Sequence, residues 1–394
     1  MFRDDRSSSE SLNRAGLDRG RKLLTTFRAE HRQLLSFNYP GKEEYAEVLE
    51  AISRFLDEKV APASSKFDTR EAGMGDARTA LFEKGVTQIT CPVKYGGLGL
   101  PFGVHELAME LVATADASIA LSMAIDYTVA EGLLQFGSER QKNELIPDIV
   151  RGKKLASFSL TEPTSGSDAK AISTNARRAG NDYVLNGSKA FITNAGEADV
   201  YFVFAATEKG PSAFVVQRTN PGIQFGSDLP KLGMRGSRTA EVRFADCKIP
   251  KDMLVGEEGK GFEYAKSMLN GSRIVMGSLC VGIAQAAFDK ALAYSKQRRA
   301  FGSPISEFQL TKEKIADMKT GITAGRLMCM HASRVRESGG DYASEASQAK
   351  VFATEMSLKV CDATIQIFGG HGYTTDDVHR HWRDARLLTI GEGT

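Results

Sequence analysis

The chain has 394 residues, 42% hydrophobic and 25% charged, an ordinary globular composition with length for two or three domains and a large core. Lys plus Arg number 51 against 49 Asp plus Glu, and a net charge of +2 excludes the strongly basic balance usual in nucleic-acid binders. The five scattered cysteines, Cys91, Cys247, Cys280, Cys329 and Cys361, show no CxxC spacing, which argues against a disulfide framework or zinc site and fits a reducing compartment.

Residues 1–41 are polar and mixed in charge, with an amphipathic piece over residues 23–35. They read as an extension, partly helical and packed on a partner subunit. The N-terminus lacks the apolar region of a secretory signal, and no apolar run approaches the ~18 residues of a membrane span. A bacterial cytoplasm is the expected compartment, with the mitochondrial matrix as the alternative. From Lys42 the spacing of Tyr45, Val48, Leu49, Ile52, Phe55 and Leu56 is helical, and Pro62 ends it. Further helical patterns over 77–84, 105–113, 117–136 and 141–151 make residues 42–155 an antiparallel helical domain.

Near Leu155 the apolar period changes from 3.6 to 2. Short strands are expected over 156–160, 172–178, 183–187, 190–193, 200–206, 212–217, 223–225, 240–247 and 253–255, giving a β-domain over 156–260. Helical spacing returns at Gly261, over 262–269, 274–297, 312–336 and 343–368, and Gly369-Gly370-His371-Gly372-Tyr373 breaks the last helix. Residues 261–394 form a second helical domain, and the fold class is α+β with segregated layers. No GxGxxG follows a strand, so a Rossmann dinucleotide site is not indicated. His371, His379 and His381 have no Cys or carboxylate at ligand spacing and read as packing or surface residues.

The segment from Ala156 to Ala195 is the most informative. A strand runs into Thr161-Glu162-Pro163, where proline must stop or turn it, and Thr164-Ser165-Gly166-Ser167-Asp168 is a loop rich in hydroxyls and N–H donors. Two β-segments thus place a threonine (Thr161, Thr193) and an aromatic (Phe158, Phe191) beside a polar loop. The combination suits a flat, polar-edged ring, with aromatics on its face and hydroxyls at its heteroatoms; on these residues alone an ordinary β-hairpin repeat with core phenylalanines fits equally.

Five motifs in collinear order over residues 42–394 resemble those of the acyl-CoA dehydrogenases. They are Thr161-Glu162-Pro163-Thr164-Ser165-Gly166-Ser167-Asp168; Gly187-Ser188-Lys189-Ala190-Phe191-Ile192-Thr193-Asn194; Arg298-Arg299-Ala300-Phe301-Gly302 with Gln309; Gln366-Ile367-Phe368-Gly369-Gly370-His371-Gly372-Tyr373; and Arg383-Asp384-Ala385-Arg386. The resemblance implies FAD, with Phe158, Leu160, Thr161, Ser167, Phe191 and Thr193 at the isoalloxazine side. It implies Arg298, Phe301, Gln309, Gln366, Gly369 and Gly370 at the rest of the cofactor, across a subunit boundary in a homotetramer, and Thr394 as a further cofactor contact. Ser167 and Arg273 match positions at the CoA moiety, and Gly391 and Gly393 flank the reacting acyl group.

The chemistry implied is α,β-dehydrogenation of an acyl-CoA. A carboxylate removes the α-proton, a β-hydride passes to flavin N5, and an electron-transfer flavoprotein takes the electrons. Glu392 matches the family's base, its own N–H and a ribityl hydroxyl clamping the thioester carbonyl as enolate character develops. One branch of the family carries the base just before the residue matching Arg273; here that position is Ser272, which cannot serve. Many members carry a bulky tyrosine before the base, and Gly391 in its place opens room for a branched, cyclic or aryl-bearing acyl group. Asp126 and Tyr127 are candidates for a polar contact in the acyl pocket. The alternatives are an acyl-CoA oxidase of the same fold and a non-catalytic acyl-CoA-binding protein.

Overall fold

The computed structural model describes residues 29–394; residues 23–28 of the expected amphipathic piece lie outside the described residues. Residues 29–38 form helix α1. It is followed by α2 (Glu43–Phe55), α3 (Ser64–Thr69), α4 (Gly75–Glu83), α5 (Phe102–Ala115), α6 (Ala117–Phe136) and α7 (Glu139–Val150). Local signals set the joints. Asp116 caps α6 by accepting from the Ile119 N–H at 2.8 Å, and Ser138 with Gln141 closes a capping box on α7.

The middle of the chain holds β1 (Ala156–Ser159), β2 (Asn175–Ala179), β3 (Asp182–Thr193), β4 (Val200–Thr207), β5 (Gly210–Gln217), β6 (Ile223–Phe225), β7 (Thr239–Ile249) and β8 (Leu254–Val255). They form one sheet in the order β6-β7-β3-β2-β4-β5-β8, with β1 added parallel to β4 in register Ala156↔Val200. β4 is buried on both faces: Val200, Phe202 and Phe204 pack with α6 and α7, and Tyr201, Val203 and Ala205 pack inside the β-domain.

The chain then returns to helix in α8 (Gly261–Gln297), a short β9–β10 hairpin (Arg299–Ala300 with Ser303–Pro304), α9 (Gln309–Glu337), α10 (Ala343–Phe368), α11 (Gly370–Thr374) and α12 (Asp376–Leu388). One continuous apolar core joins α5, α6, α8, α9 and α10.

Several expectations change. The two helices expected over 262–269 and 274–297 are one continuous α8, with Gly271 inside it where a β-carbon would meet the Arg336 guanidinium at 2.9 Å. The glycines at 369–370 do break the helix that ends at Phe368, but it is not the last: α11 and α12 follow. The strands expected at 183–187 and 190–193 are one long β3 whose pairing with β7 slips twice. The described part of the N-terminal extension packs on its own chain. Leu35 and Tyr39 are buried, Glu30 pairs with Lys319 and Arg326, and the Tyr39 hydroxyl donates to Glu337 at 2.7 Å. Finally, α6 and α8 are long and apolar enough to cross a membrane, contrary to the sequence reading. In each, 89% of the apolar window is buried inside the protein, as for core helices.

Candidate active site

Two backbone segments carry the first group of predicted residues. β1 leads Phe158 and Leu160 toward Pro163, and the end of β3 runs beside it. The Ala190 N–H donates to the Thr161 carbonyl at 2.9 Å, and the Ser157 hydroxyl to the Thr193 carbonyl at 2.7 Å. The pairing of β3 with β7 slips between Lys189 and Ile192. That bulge sets Phe191 at φ 57 and leaves its ring 70% exposed. An open aromatic face thus stands near two threonines whose hydroxyls bond to nothing among the described residues. Such a ledge fits the flat, heteroatom-edged ring inferred from the sequence.

The loop after Leu160 is fixed from beneath. Glu162 accepts from Lys189 Nζ at 2.7 Å, the Ser173 N–H at 2.7 Å and the Thr174 N–H at 3.0 Å. Burial alone would raise its carboxyl; the bonds from Lys189 and Ser173 outweigh that and hold it well below the usual range. Lys189 also donates to the Leu160 carbonyl at 3.0 Å. Ser167 stays exposed on the loop itself.

The second group gathers at the C-terminal turn. Beyond α12 the backbone becomes left-handed at Glu392 (φ 58) and Gly393 (φ 94). Arg273 Nε of α8 donates to the Glu392 carbonyl at 3.2 Å, and Lys350 Nζ of α10 donates to the Gly393 carbonyl. Glu392 Oε2 is buried and has no hydrogen-bond partner among the described residues. Burial pushes the carboxyl up to about 6, with Ser272, Arg273 and Lys350 pulling the other way. The Glu392 N–H is likewise unbonded within the described residues. At Gly391 a β-carbon would meet only the Leu387 carbonyl, at 3.7 Å, so the space beside the base is open.

Hydrogen bonds from backbone N–H groups tie the β-domain to the 234–238 loop and that loop to α12. The Asn194 N–H, next to Thr193, donates to the Arg238 carbonyl at 3.0 Å, and the Met234 N–H donates to Asp384 of α12 at 2.5 Å. The third group stands apart. Arg298, Phe301, Gln309, Gln366, Gly369 and Gly370 are all exposed, at the far ends of α8 and α10, which Tyr294 and Phe368 stack together with ring centres 4.1 Å apart. Arg298 closes α8 25 residues beyond Arg273, roughly 37 Å at the helical rise. Thr394 is exposed beside Gly393.

The sequence matches the acyl-CoA dehydrogenase N-terminal domain over residues 42–153, the middle domain over 157–247 and the C-terminal domain over 259–394. The chain belongs to the acyl-CoA dehydrogenase family. It is therefore an oxidoreductase of that family. The short-chain specific acyl-CoA dehydrogenase of Homo sapiens mitochondria is 38% identical over 359 residues, covering 89% of this chain and 87% of that protein. The short-chain specific acyl-CoA dehydrogenase of Megasphaera elsdenii is 39% identical over 353 residues, covering 86% and 92%. Among solved structures, butyryl-CoA dehydrogenase from Megasphaera elsdenii superposes with TM-score 0.86 at 37% identity, over 89% of this chain and 94% of that one. A chain from work on the electron transferring flavoprotein of Acidaminococcus fermentans gives 0.88 at 37%, over 90% and 96%. A glutaryl-CoA dehydrogenase from Mycobacterium smegmatis in complex with FADH2 gives 0.85 at 27%, over 89% and 91%.

Within this acyl-CoA dehydrogenase the structure assigns work the sequence did not reveal. Lys189 and Glu162, far apart in sequence, are the ion pair that shapes the loop at Pro163. The Asn194 side chain bonds the Ala156 carbonyl at 3.0 Å and the Ser122 hydroxyl at 2.7 Å, locking β3 to β1 and α6. Asp126 and Tyr127 are both buried in α6 and have partners within the fold. Asp126 accepts from the Ala156 N–H at 2.6 Å, and the Tyr127 hydroxyl donates to Glu131 at 3.3 Å. Lys350 carried no signal at all: a lysine in an amphipathic helix ordinarily reads as solvated.

Proposed function

We propose that the protein removes an α-proton and a β-hydride from an acyl-CoA thioester, yielding the 2-enoyl-CoA, with FAD as cofactor and Glu392 as the base. The Glu392 carboxyl, its Oε2 buried and raised by desolvation, carries this reading, because a carboxylate with a raised pKa is a competent proton acceptor near neutral pH. The Glu392 N–H, unbonded among the described residues, would donate to the thioester carbonyl as charge develops there. When bound, FAD supplies the acceptor for the hydride. Phe158, Leu160, Thr161, Phe191 and Thr193 would hold its ring, and Ser167 and Arg273 the CoA arm. The FADH2 complex of the mycobacterial neighbour supports the cofactor. The neighbour from the electron transferring flavoprotein work supports such a protein as electron acceptor.

The third group of residues supports an assembly. FAD held at Glu392 does not reach Arg298 of the same chain across roughly 37 Å of helix. Arg298, Phe301, Gln309, Gln366, Gly369 and Gly370 therefore serve the cofactor of a neighbouring copy in a homotetramer, with Thr394 on the cofactor side of the base turn.

For the acyl group, the open space at Gly391 supports a branched, cyclic or aryl-bearing chain. The names of the human and Megasphaera relatives favour a second reading, a short unbranched chain. An anaerobic absorption spectrum of the FAD-loaded protein, before and after straight, branched, cyclic and aryl acyl-CoAs, tests both. Bleaching of the visible flavin band fastest with a branched, cyclic or aryl thioester is expected. A large preference for butyryl-CoA moves the substrate to the second reading, and no bleaching by any thioester overturns the dehydrogenase reading.

A further inference from the structure

The base turn is gripped from two helices. Lys350 of α10 is only 4% exposed, and its ammonium, with three N–H donors, has the Gly393 carbonyl as its one acceptor among the described residues. A lysine without a task would lie on the solvent face, since burying an ammonium is costly. From the other side Arg273 of α8 bonds the Glu392 carbonyl at 3.2 Å, and its Nη1 reaches Asn270 at 3.3 Å and Ser347 at 3.4 Å. Ser347 lies three residues before Lys350 on one face of α10, so the two cations flank the turn as a pair. The turn needs holding. Glu392 sits at φ 58, which a non-glycine residue adopts only when its surroundings impose it, and Gly393 follows at φ 94.

Resting on the dehydrogenase reading above, we propose that Lys350 is a positioning residue for the reaction: with Arg273 it clamps the Glu392–Gly393 turn, aiming the Glu392 carboxyl at the substrate α-carbon and the Glu392 N–H at its carbonyl. The clamp also has an electrostatic side. Glu392 faces Ser272 and Arg273 from α8 and Lys350 from α10; Lys350 in turn faces Cys280 and Arg273 from α8, Glu355 from its own helix, and Glu392. The two cations oppose the effect of burial on the carboxyl. Removing Lys350 takes away one of them, so a larger fraction of Glu392 stays protonated at a given pH.

The test compares FAD-loaded wild type, Lys350→Met, Lys350→Gln and Lys350→Arg in anaerobic stopped-flow reduction by butyryl-CoA, from about pH 5 to 9. The Met and Gln variants are expected to lose ten-fold or more in reduction rate at pH 7, with the acid limb moved to higher pH and substrate affinity within three-fold. Lys350→Arg is expected to restore most of the rate and the wild-type limb. Met and Gln variants with wild-type rate and limb overturn the proposal. So does a rate loss with an unmoved limb and no rescue by Arg, which marks Lys350 as merely structural. If Met does not fold, Gln and Arg carry the same comparison. A wild type that no thioester reduces overturns the dehydrogenase reading, and the clamp falls with it; an active wild type with indifferent variants overturns the clamp alone.

Discussion

A glutamate in a glycine-flanked terminal turn is ordinarily a solvated charge with an ordinary pKa. Glu392 is not, because its Oε2 is buried in a turn held by α8 and α10, and burial lifts the carboxyl from 4.5 to about 6. The sign of the consequence follows. The base works when ionised, so the rate of flavin reduction holds above about pH 6 and falls roughly ten-fold per pH unit below it. A stopped-flow pH series that finds the acid limb near 4.5 instead means the carboxyl is solvated and the enclosure irrelevant. Glu392→Gln keeps the shape and removes the base. Turnover is expected to drop by roughly 10²–10⁴-fold, the usual contribution of a general base, while FAD content and binding of an enoyl-CoA are retained. Near-full activity would place the base elsewhere, and Ser272, the position that carries it in another branch of the family, has no acidic group to offer.

At the scale of elements, the helices are held by buried charge as well as by apolar packing. In α5, Glu110 is pulled down to about 2, because the Arg326 and His31 charges outweigh its burial. One turn earlier, Glu106 has no cation among the described residues to offset its burial: it accepts from the Ser333 hydroxyl at 2.6 Å, and burial drives it up to about 8 against the bonds from Ser333 and Ser278. Glu106 is therefore protonated in the fold at neutral pH. Its contribution to stability is fully present below its ordinary pKa of 4.5 and is lost as pH rises through about 8, a loss of the order of 3–5 kcal/mol at roughly 1.4 kcal/mol per pH unit. Glu106→Gln keeps the acceptor for Ser333 and removes the titration. Its melting temperature is expected to match wild type near pH 5 and to exceed it by several degrees near pH 8; equal melting at both would mean that Glu106 is hydrated. The same mixture of forces decided what the sequence could tell. The apolar periodicity of α6 and α10 was legible to the residue, because those helices bury hydrocarbon. α12 was not, because its inward residues are charged: Arg380 reaches Ser64 at 2.8 Å and Arg383 reaches Asp68 at 2.6 Å, pairs that hydropathy reads as surface. Glu392 was legible only through the motifs around it, and Lys350 not at all, since its partner is a backbone carbonyl 43 residues away.

For the whole molecule, the geometry of α8 is the ground for the proposed assembly. One helix carries Arg273 at the base turn and ends at Arg298, and roughly 37 Å of helix separate them. α10 repeats the arrangement, with Lys350 at the base turn and Gln366, Gly369 and Gly370 at its far end. In a lone chain the far-end set has nothing to bind: Phe301 is 99% exposed at φ 49, and Gly369 and Gly370 have open space where a β-carbon would sit. Glycines let a backbone approach a diphosphate closely, and an arginine supplies charge-assisted bonds to it. A neighbouring copy that presents its cofactor to these residues turns an exposed end into a contact, and FAD becomes part of the interface. Retention of FAD and association of chains are then linked, since a ligand that binds only the assembled state stabilises it by mass action. Arg298→Ala is expected to leave the helices intact by circular dichroism, lower the FAD-to-protein ratio after gel filtration several-fold, and shift the four-chain species seen by light scattering toward smaller ones unless excess FAD is supplied. A wild-type protein that is monomeric by light scattering yet keeps one FAD per chain, or an Arg298→Ala protein that loses neither cofactor nor assembly, would show that each chain completes its own cofactor site.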